Sequence, residues 1–278
     1  MNIIMNEDTN KNKIELYNKN NFVHAVFLIL TIKEIENNRF YLFIQKLKKF
    51  KPSKSILIPL YIFTDKLIDK TSIEKINTIL THFNINKFFS KIEIVNNNIS
   101  DINNIYVPNK IENIPIFGTS SGPNLHFLKT INFELSKYKN ILLLETDCFF
   151  ISNYWLDYFN ISIKKKTFWI YGSKYYGDSH FDDYTKQHIN GVAIYNRCED
   201  FMKFIDFVFF YIKTNILLKN EHIINYDIAI NNVIDLFNKR KLLFDSGTIL
   251  NISLEKDINI RNYTNIKKYT LLVHQKYF

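Results

Sequence analysis

Cysteine, glycine and proline are scarce in this chain of 278 residues, which contains two Cys, six Gly and five Pro. Two cysteines, Cys148 and Cys198, cannot build a disulfide framework, so we expect reduced thiols and a cytoplasmic location. Long hydrophobic runs are also missing: the apolar stretches at 22–32 and 207–212 are shorter than the roughly 20 residues that span a bilayer. We therefore expect no transmembrane segment.

The composition favours a folded domain that binds no nucleic acid. Hydrophobic residues make up 46% of the chain and charged residues 23%, which suits a sizeable core and excludes a disordered chain. The formal net charge is +9, but the lysines form scattered clusters rather than a dense basic stripe or a known motif. The charge favours an anionic ligand or surface, or it reflects solvated helix faces.

The six glycines all lie between residues 118 and 247, and this concentration marks the loops that we expect to form a site. A chain this poor in glycine has it where backbone geometry or close approach requires it. One such loop opens a predicted helix, where Ser120 or Ser121 can act as the cap and Pro123 suits the first turn. This helix start is either a plain cap or a seat for a phosphate group.

Apolar patterns predict strands that alternate with helices. Residues 1–20 are polar and are expected to be flexible, whereas 21–278 are expected to form one domain. Strand patterns alternate with helical periodicity, and they predict strands at 22–31, 55–65 and 91–95 and helices at 39–50 and 71–84. Strands joined through helices imply right-handed crossovers and a mostly parallel sheet. The predicted fold class is α/β.

Two carboxylates follow what reads as a buried strand. Four apolar residues at 141–144 run directly into Glu145, Thr146 and Asp147. Ligands of parallel sheets bind beyond the carboxyl ends of the strands, and carboxylate oxygens suit Mg²⁺ or Mn²⁺. The alternative is that both acids pair with Lys or Arg at the strand end.

Four short motifs, in this order, resemble those of GT-A-fold glycosyltransferases, closest to the glycogenin-like and galactosyltransferase-like branch. They are SKYKNILLLETD, ending at Asp147; HINGVAIYN, 188–196; NYDIAINN, 225–232; and LLVHQKYF, 271–278. Three features depart from the family pattern: Glu145 stands where an Asp is usual, Ile228 stands where a Gln is usual, and the closing segment lacks its Gly and is abbreviated.

The resemblance implies a GT-A-type, Rossmann-like α/β/α sandwich with a mostly parallel central sheet in a single domain. It also implies transfer of a sugar from a nucleoside diphosphate sugar, a UDP-sugar in the first instance, to a hydroxyl of a glycan, protein or small-molecule acceptor. Mn²⁺ or Mg²⁺ would assist. Asp147, Glu145 and His274 would hold the metal, with Glu145 alternatively binding the ribose or a metal-bound water.

The resemblance assigns further roles in donor binding and catalysis. Lys276 would contact a phosphate, Asn190 and Gly191 would line the sugar pocket, and Asp65 would read the nucleobase. Asp227 would face the anomeric carbon or the acceptor, or it is only a helix N-cap. A polar and aromatic loop fit for an acceptor sugar contains Tyr175, Tyr176, His180, Asp182 and Asp183.

Two other functions fit related folds. A nucleotidyltransferase that makes nucleotide sugars normally has a glycine-rich basic loop after the first strand, and residues 31–40 contain no glycine. A catalytically inactive scaffold or carbohydrate-binding domain would keep the fold without metal-dependent chemistry.

Overall fold

A computed structural model describes residues 21–104, 115–176, 183–219, 224–253 and 270–276. The N-terminal residues 1–20, predicted to be flexible, lie outside these ranges. Within them, ten strands form two sheets: β1 Ala25–Leu30, β2 Leu60–Thr64, β3 Ile92–Asn96, β4 Asn140–Leu144, β5 Cys148–Phe150, β6 Ile170–Gly172, β7 Ala193–Asn196, β8 Leu243–Asp245, β9 Ile249–Ser253 and β10 Leu272–Lys276.

The larger sheet has seven strands in the order β3-β2-β1-β4-β7-β6-β8. Four of its six neighbouring pairs are parallel, and β7 runs antiparallel to both β4 and β6. The sheet is therefore mostly parallel, as predicted. Since β4 and β7 are antiparallel, the carboxyl end of β4 and the amino end of β7 meet at the same edge.

The helices fill the connections between strands. In chain order they are α1 Ile32–Glu36, α2 Arg39–Leu47, α3 Lys70–His82, α4 Ser121–Ile131, α5 Trp155–Ile163, α6 Glu199–Lys219 and α7 Tyr226–Val233, with short 3₁₀ turns between some of them. Among the helices in the described ranges, none is long and apolar enough to cross a membrane.

Local chemistry explains where several elements begin. Thr31 and Glu34 form a reciprocal capping box at the start of α1, and the Asp69 side chain accepts a hydrogen bond from the Ser72 amide at the start of α3. The predicted strand at 55–65 is shorter than expected because it begins only after Pro59, which has no N–H to donate to a ladder. The helix predicted at 39–50 ends at Leu47.

Both faces of the large sheet are buried. Successive residues of β1 alternate between two apolar clusters: Val26 and Leu28 belong to one, and Ala25 and Phe27 to the other. The same alternation runs through β2 and β4, since a strand points successive side chains to opposite faces. The sheet is thus the middle layer of an α/β/α sandwich, and its continuous apolar runs are typical of such a layer.

The smaller sheet has the order β5-β10-β9, and its strand β5 follows the end of β4 in the sequence. β10 runs antiparallel to β5 and parallel to β9. In this register His274 lies opposite Cys148 on one side and Asn251 on the other. The register therefore brings the C-terminal strand beside the residue that follows Asp147.

Candidate functional site

The segment Glu145–Asp147 connects the two sheets, because β4 ends at Leu144 and β5 begins at Cys148. Both neighbouring strand ends are buried, whereas the Glu145 and Asp147 side chains keep 30% and 24% of their surface exposed. The two acids therefore lie at the carboxyl edge of the parallel strands, where the sequence predicts them.

His274 completes a cluster with these acids. Its Nε2 atom lies 3.0 Å from Asp147 Oδ1 and 3.4 Å from Glu145 Oε2. One ligand atom from each of the three residues lies within 4.8 Å of the others. We call Glu145, Asp147 and His274 the carboxylate–histidine cluster. Two carboxylates and an imidazole are a donor set that a divalent cation such as Mn²⁺ accepts.

The electrostatics of this cluster favour positive charge. Burial lowers the pKa of His274, but the charges of Asp147 and Glu145 outweigh burial and raise that pKa to about 9. His274 is fully buried, and neither its Nε2 nor Asp147 Oδ1 has a hydrogen-bond partner outside the cluster among the described residues. Buried polar atoms without such partners are costly, so the residues present fit a cation that would take both atoms as ligands.

Asn251 lies behind the histidine. It is the parallel-ladder partner of His274 across β9 and β10, and its Oδ1 lies 3.1 Å from His274 Nδ1. Its side chain is almost fully buried. An isolated polar residue between Leu250 and Ile252 is the sequence signal that could have drawn attention to this position.

Glu34 is a third acid near the cluster that sequence reasoning missed. It is half-buried in the first turn of α1, and one of its carboxylate oxygens accepts a hydrogen bond from Thr146 Oγ1, between the two cluster acids. Burial raises the pKa of Glu34, and the charge of Glu145 contributes to this shift. The capping-box pattern after β1 predicts the helix start, but the contact with Thr146 bridges 112 positions.

Asn190 and Gly191 lie at the same edge, just before β7. Asn190 Oδ1 accepts a hydrogen bond of 3.3 Å from the Val192 amide, and the Asn190 side chain is buried. A Cβ atom built on Gly191 would lie 2.0 Å from Tyr226 Oη and 3.3 Å from Glu145 Oε1. Gly191 is therefore required for the close approach of its backbone to these two side chains.

Two tyrosines, which sequence reasoning also missed, pack around this glycine. Tyr195 Oη donates a hydrogen bond of 2.8 Å to the Gly191 carbonyl. The Tyr226 ring stacks on Phe127 with a centroid separation of 3.8 Å. Burial raises the pKa of both tyrosines well above their usual value, so both keep their hydroxyl protons at neutral pH. We call Asn190, Gly191, Tyr195, Tyr226 and Asp227 the Gly191 cluster.

Asp227 lies in the first turn of α7, and it is not the helix cap. The N-cap position belongs to Asn225, so the alternative reading of Asp227 as an N-cap is wrong by two residues. Asp227 Oδ1 accepts a hydrogen bond from the Ile228 amide at 2.9 Å, and its Oδ2 lies 3.8 Å from His188 Nε2. Its charge contributes to the raised pKa values of Tyr195 and Tyr226, the two tyrosines that pack around Gly191.

Asp65 follows β2 at the same edge, and its carboxylate is buried and engaged. Oδ1 accepts a hydrogen bond from the Ile32 amide at 3.1 Å, and Oδ2 accepts one from Asn104 Nδ2 at 2.9 Å. The buried His126 ring lies within electrostatic reach of both Asp65 and Glu145. The contact with a nucleobase stays a prediction.

The remaining predicted residues differ in what the structure describes. Lys276 ends β10 opposite Ser253, and its side chain lies outside the described part. The helix α4 begins at Ser121 as the motif indicates, although Ser120 at its N-cap makes no side-chain cap. Of the predicted acceptor loop, His180 and Asp182 lie outside the described residues, while Tyr176 donates a hydrogen bond to Asp245.

The fold of this chain is similar to that of solved glycosyltransferase structures. Mouse xyloside xylosyltransferase 1 in its apo form superposes with a TM-score of 0.55 at 10% identity, covering 90% of this chain and 97% of that chain. The galactosyltransferase LgtC in complex with donor and acceptor sugar analogues superposes with a TM-score of 0.51 at 13% identity, covering 90% of this chain and 86% of that chain. The chain therefore has the GT-A fold, as the four motifs predict.

Sequence comparisons alone do not reach this result. No protein-family model matches the chain, and no curated protein sequence matches it either. At identities of 10% and 13% the likeness to solved structures establishes the fold, and the glycogenin-like and galactosyltransferase-like branch stays a prediction.

Proposed function

We propose that this protein is a metal-dependent glycosyltransferase. It transfers a sugar from a nucleoside diphosphate sugar to an acceptor hydroxyl, and a UDP-sugar is the first donor to test. The carboxylate–histidine cluster carries the proposal, since its three ligand atoms lie within 4.8 Å of one another at the carboxyl edge of a GT-A sheet.

Asp147 and His274 are the proposed metal ligands, with Glu145 as the third. Asp147 Oδ1 and His274 Nε2 lie 3.0 Å apart and have no hydrogen-bond partner outside the cluster among the described residues. A bound Mn²⁺ or Mg²⁺ would supply Lewis-acid stabilisation of the diphosphate that leaves. Carboxylates suit both ions, and such ions typically complete their coordination with water and substrate phosphates.

The Gly191 cluster supplies the proposed sugar pocket. The missing side chain at Gly191 lets its backbone approach Glu145 and the protonated Tyr226 hydroxyl, while the Tyr195 hydroxyl holds the Gly191 carbonyl. Asn190 would position the donor sugar through its amide. Asp227 would accept a proton from the acceptor hydroxyl or stabilise positive charge that develops at the anomeric carbon.

Among the solved structures of similar fold, that of LgtC was determined with donor and acceptor sugar analogues. For the present chain, the donor and the acceptor class are part of the proposal. Lys276 follows His274 by two residues in β10, and we propose that its ammonium group contacts a donor phosphate as a point charge.

The substitution Asp147→Asn tests the metal centre, because it removes a charged ligand and keeps the side-chain shape. We expect Mn²⁺ affinity to fall by at least about 100-fold, since disturbing only a residue behind a ligand typically costs about 10–100-fold. Turnover of UDP-sugars should fall with it. The measurements are a Mn²⁺ titration and an assay of donor hydrolysis and transfer across a panel of UDP-sugars.

The exposed Asp206 on α6 supplies the matched control, since Asp206→Asn makes the same change away from the cluster. This control should bind Mn²⁺ and turn over like the parent. Equal Mn²⁺ affinity in Asp147→Asn and the parent would refute the metal centre. A parent that binds Mn²⁺ but neither hydrolyses nor transfers any donor would instead favour the inactive scaffold.

A further inference from the structure

The buried amide of Asn251 faces the ring nitrogen of His274 that points away from the acids. Asn251 Oδ1 lies 3.1 Å from His274 Nδ1, while His274 Nε2 lies 3.0 Å from Asp147 Oδ1. We infer that Asn251 is a positioning residue, which holds the Nδ1–H of His274 so that Nε2 presents its lone pair to a cation. This inference rests on the proposed metal centre.

The strand register fixes this contact. β9 and β10 are parallel, and Asn251 and His274 are partners in the ladder. Their side chains therefore project side by side from the same face of the smaller sheet. The backbone of Asn251 is anchored as well: its amide donates to Ser173 Oγ at 3.1 Å, and its carbonyl accepts from the Tyr176 amide at 2.9 Å. Because its backbone is held at both the N–H and the carbonyl, the side-chain amide of Asn251 starts from a fixed position beside His274.

Hydrogen-bond chemistry determines which nitrogen is protonated. A neutral imidazole carries its proton on one nitrogen and a lone pair on the other. An amide oxygen can only accept, so the Nδ1 atom that faces it carries the proton. Nε2 lies against Asp147 and Glu145 and holds a proton there until a cation replaces it. With Nδ1–H held by Asn251, Nε2 then offers its lone pair to the cation, and a partner on the far nitrogen of this kind is typical of metal-binding histidines.

The cost of the arrangement argues against a purely structural role. Asn251 is almost fully buried, and its Nδ2 atom has no hydrogen-bond partner among the described residues. A buried unsatisfied donor destabilises a fold, so a leucine of similar size would pack at this position at lower cost. The hydrogen bond that the Asn251 side-chain oxygen accepts from His274 explains why an asparagine occupies this buried position.

Three variants test the inference. Asn251→Leu removes the acceptor, and Asn251→Asp keeps an acceptor oxygen without the NH₂ group. Asn215→Leu on α6 is the matched control, since Asn215 is also buried and its Nδ2 bonds only locally, to the Tyr211 carbonyl at 2.8 Å. Mn²⁺ affinity is measured from the free-ion electron paramagnetic resonance signal at pH 8, and pulsed spectra of the loaded protein report ¹⁴N coupling from a directly bound imidazole.

We expect Asn251→Leu to lose about 10–100-fold in Mn²⁺ affinity and to lose the ¹⁴N coupling. Asn251→Asp and Asn215→Leu should keep the coupling. If Asn251→Leu binds Mn²⁺ with parent affinity and full coupling, the inference fails while the metal centre stands. If Asn251→Leu does not fold, Asn251→Asp decides, and loss of its coupling overturns the inference. A parent that binds no Mn²⁺ refutes the proposed metal centre and the inference with it.

Discussion

The carboxylate–histidine cluster and the Gly191 cluster both form at the carboxyl end of β4, with His274 contributed by β10 of the smaller sheet, yet their polar atoms are used differently. In the first, Asp147 Oδ1 and His274 Nε2 are buried and contact each other, and neither has a hydrogen-bond partner outside the cluster among the described residues. In the second, Asn190 Oδ1 accepts from the Val192 amide, and Asp227 Oδ1 accepts from the Ile228 amide. The first cluster has a donor set that fits a cation, and the polar atoms of the second are largely satisfied by its own chain.

This difference indicates two ways of building a binding site. The first cluster concentrates charge, and its ligand atoms converge because strand register brings β10 against β5. The second cluster is defined by a missing side chain, since any Cβ on Gly191 would meet Tyr226 and Glu145. In the first cluster we therefore expect substitutions to act mainly by changing charge. In the second we expect them to act mainly by changing the shape of the pocket. Asp227 is the charged residue of the second cluster, so substituting it tests whether charge also matters there.

The largest effect in the Gly191 cluster is expected from Asp227→Asn. If Asp227 acts on a proton or on developing charge, turnover should fall by about 10²–10⁴-fold, the usual contribution of such a group. Stability should change little, because Asn keeps an oxygen for the Ile228 amide and loses the favourable charge at a helix N-terminus, about 0.3–1 kcal/mol, together with the long 3.8 Å contact to His188. Turnover and melting temperature are measured on the same preparation.

Asp200→Asn is the matched control, because Asp200 also lies in the first turn of a helix, α6, and is exposed. The control should reproduce any small loss of stability while turnover stays at the parent value. If Asp227→Asn lowers the melting temperature and leaves turnover unchanged, Asp227 is structural. The Gly191 cluster would then contribute only the shape of the pocket, whereas the carboxylate–histidine cluster contributes charge.

A smaller effect is expected from Gly191→Ala. The added Cβ would lie 2.0 Å from Tyr226 Oη, and the tyrosine ring cannot move freely because it stacks on Phe127. Overpacking of this kind typically costs about 1–3 kcal/mol. We expect reduced stability and weaker donor binding with Mn²⁺ affinity largely retained, measured by chemical denaturation and by donor and metal titrations.

Tyr226→Phe supplies the control for this prediction, because it removes the hydroxyl that the new Cβ would meet first. In the Tyr226→Phe background, Gly191→Ala should cost less stability than in the parent. Equal costs in both backgrounds would show that contact with Tyr226 is not what requires a glycine at this position.

Much of the fold follows from local patterns in the sequence. The apolar run at 141–144 and the following acids predict a buried strand with a site at its end, and β4 and Glu145–Asp147 confirm the strand and its place at the carboxyl edge. Motif order also predicted that His274 returns to Asp147, and their separation of 3.0 Å agrees with that prediction. The strand is predictable because an apolar pattern is local, whereas the approach of His274 to Asp147 follows from the resemblance to a known fold and not from any local pattern.

Contacts set by strand register or by distant pairing could not be predicted. Asn251 lies 23 positions before His274, and only the parallel ladder of β9 and β10 makes them neighbours. Glu34 reaches Thr146 across 112 positions. The capping error at Asp227 has a local cause: Asn225 and Asp227 are both good cap residues, and the pattern does not decide between them.

The central claim, a cation held by Glu145, Asp147 and His274 for a nucleoside diphosphate, is tested most directly by crystals grown with Mn²⁺ and UDP. Anomalous scattering at the manganese edge locates the ion. We predict one anomalous peak within coordination distance of Asp147 and of His274 Nε2, with the diphosphate on its open side. UDP bound at this edge with no manganese between the three side chains, or a peak only elsewhere on the protein, would contradict the claim.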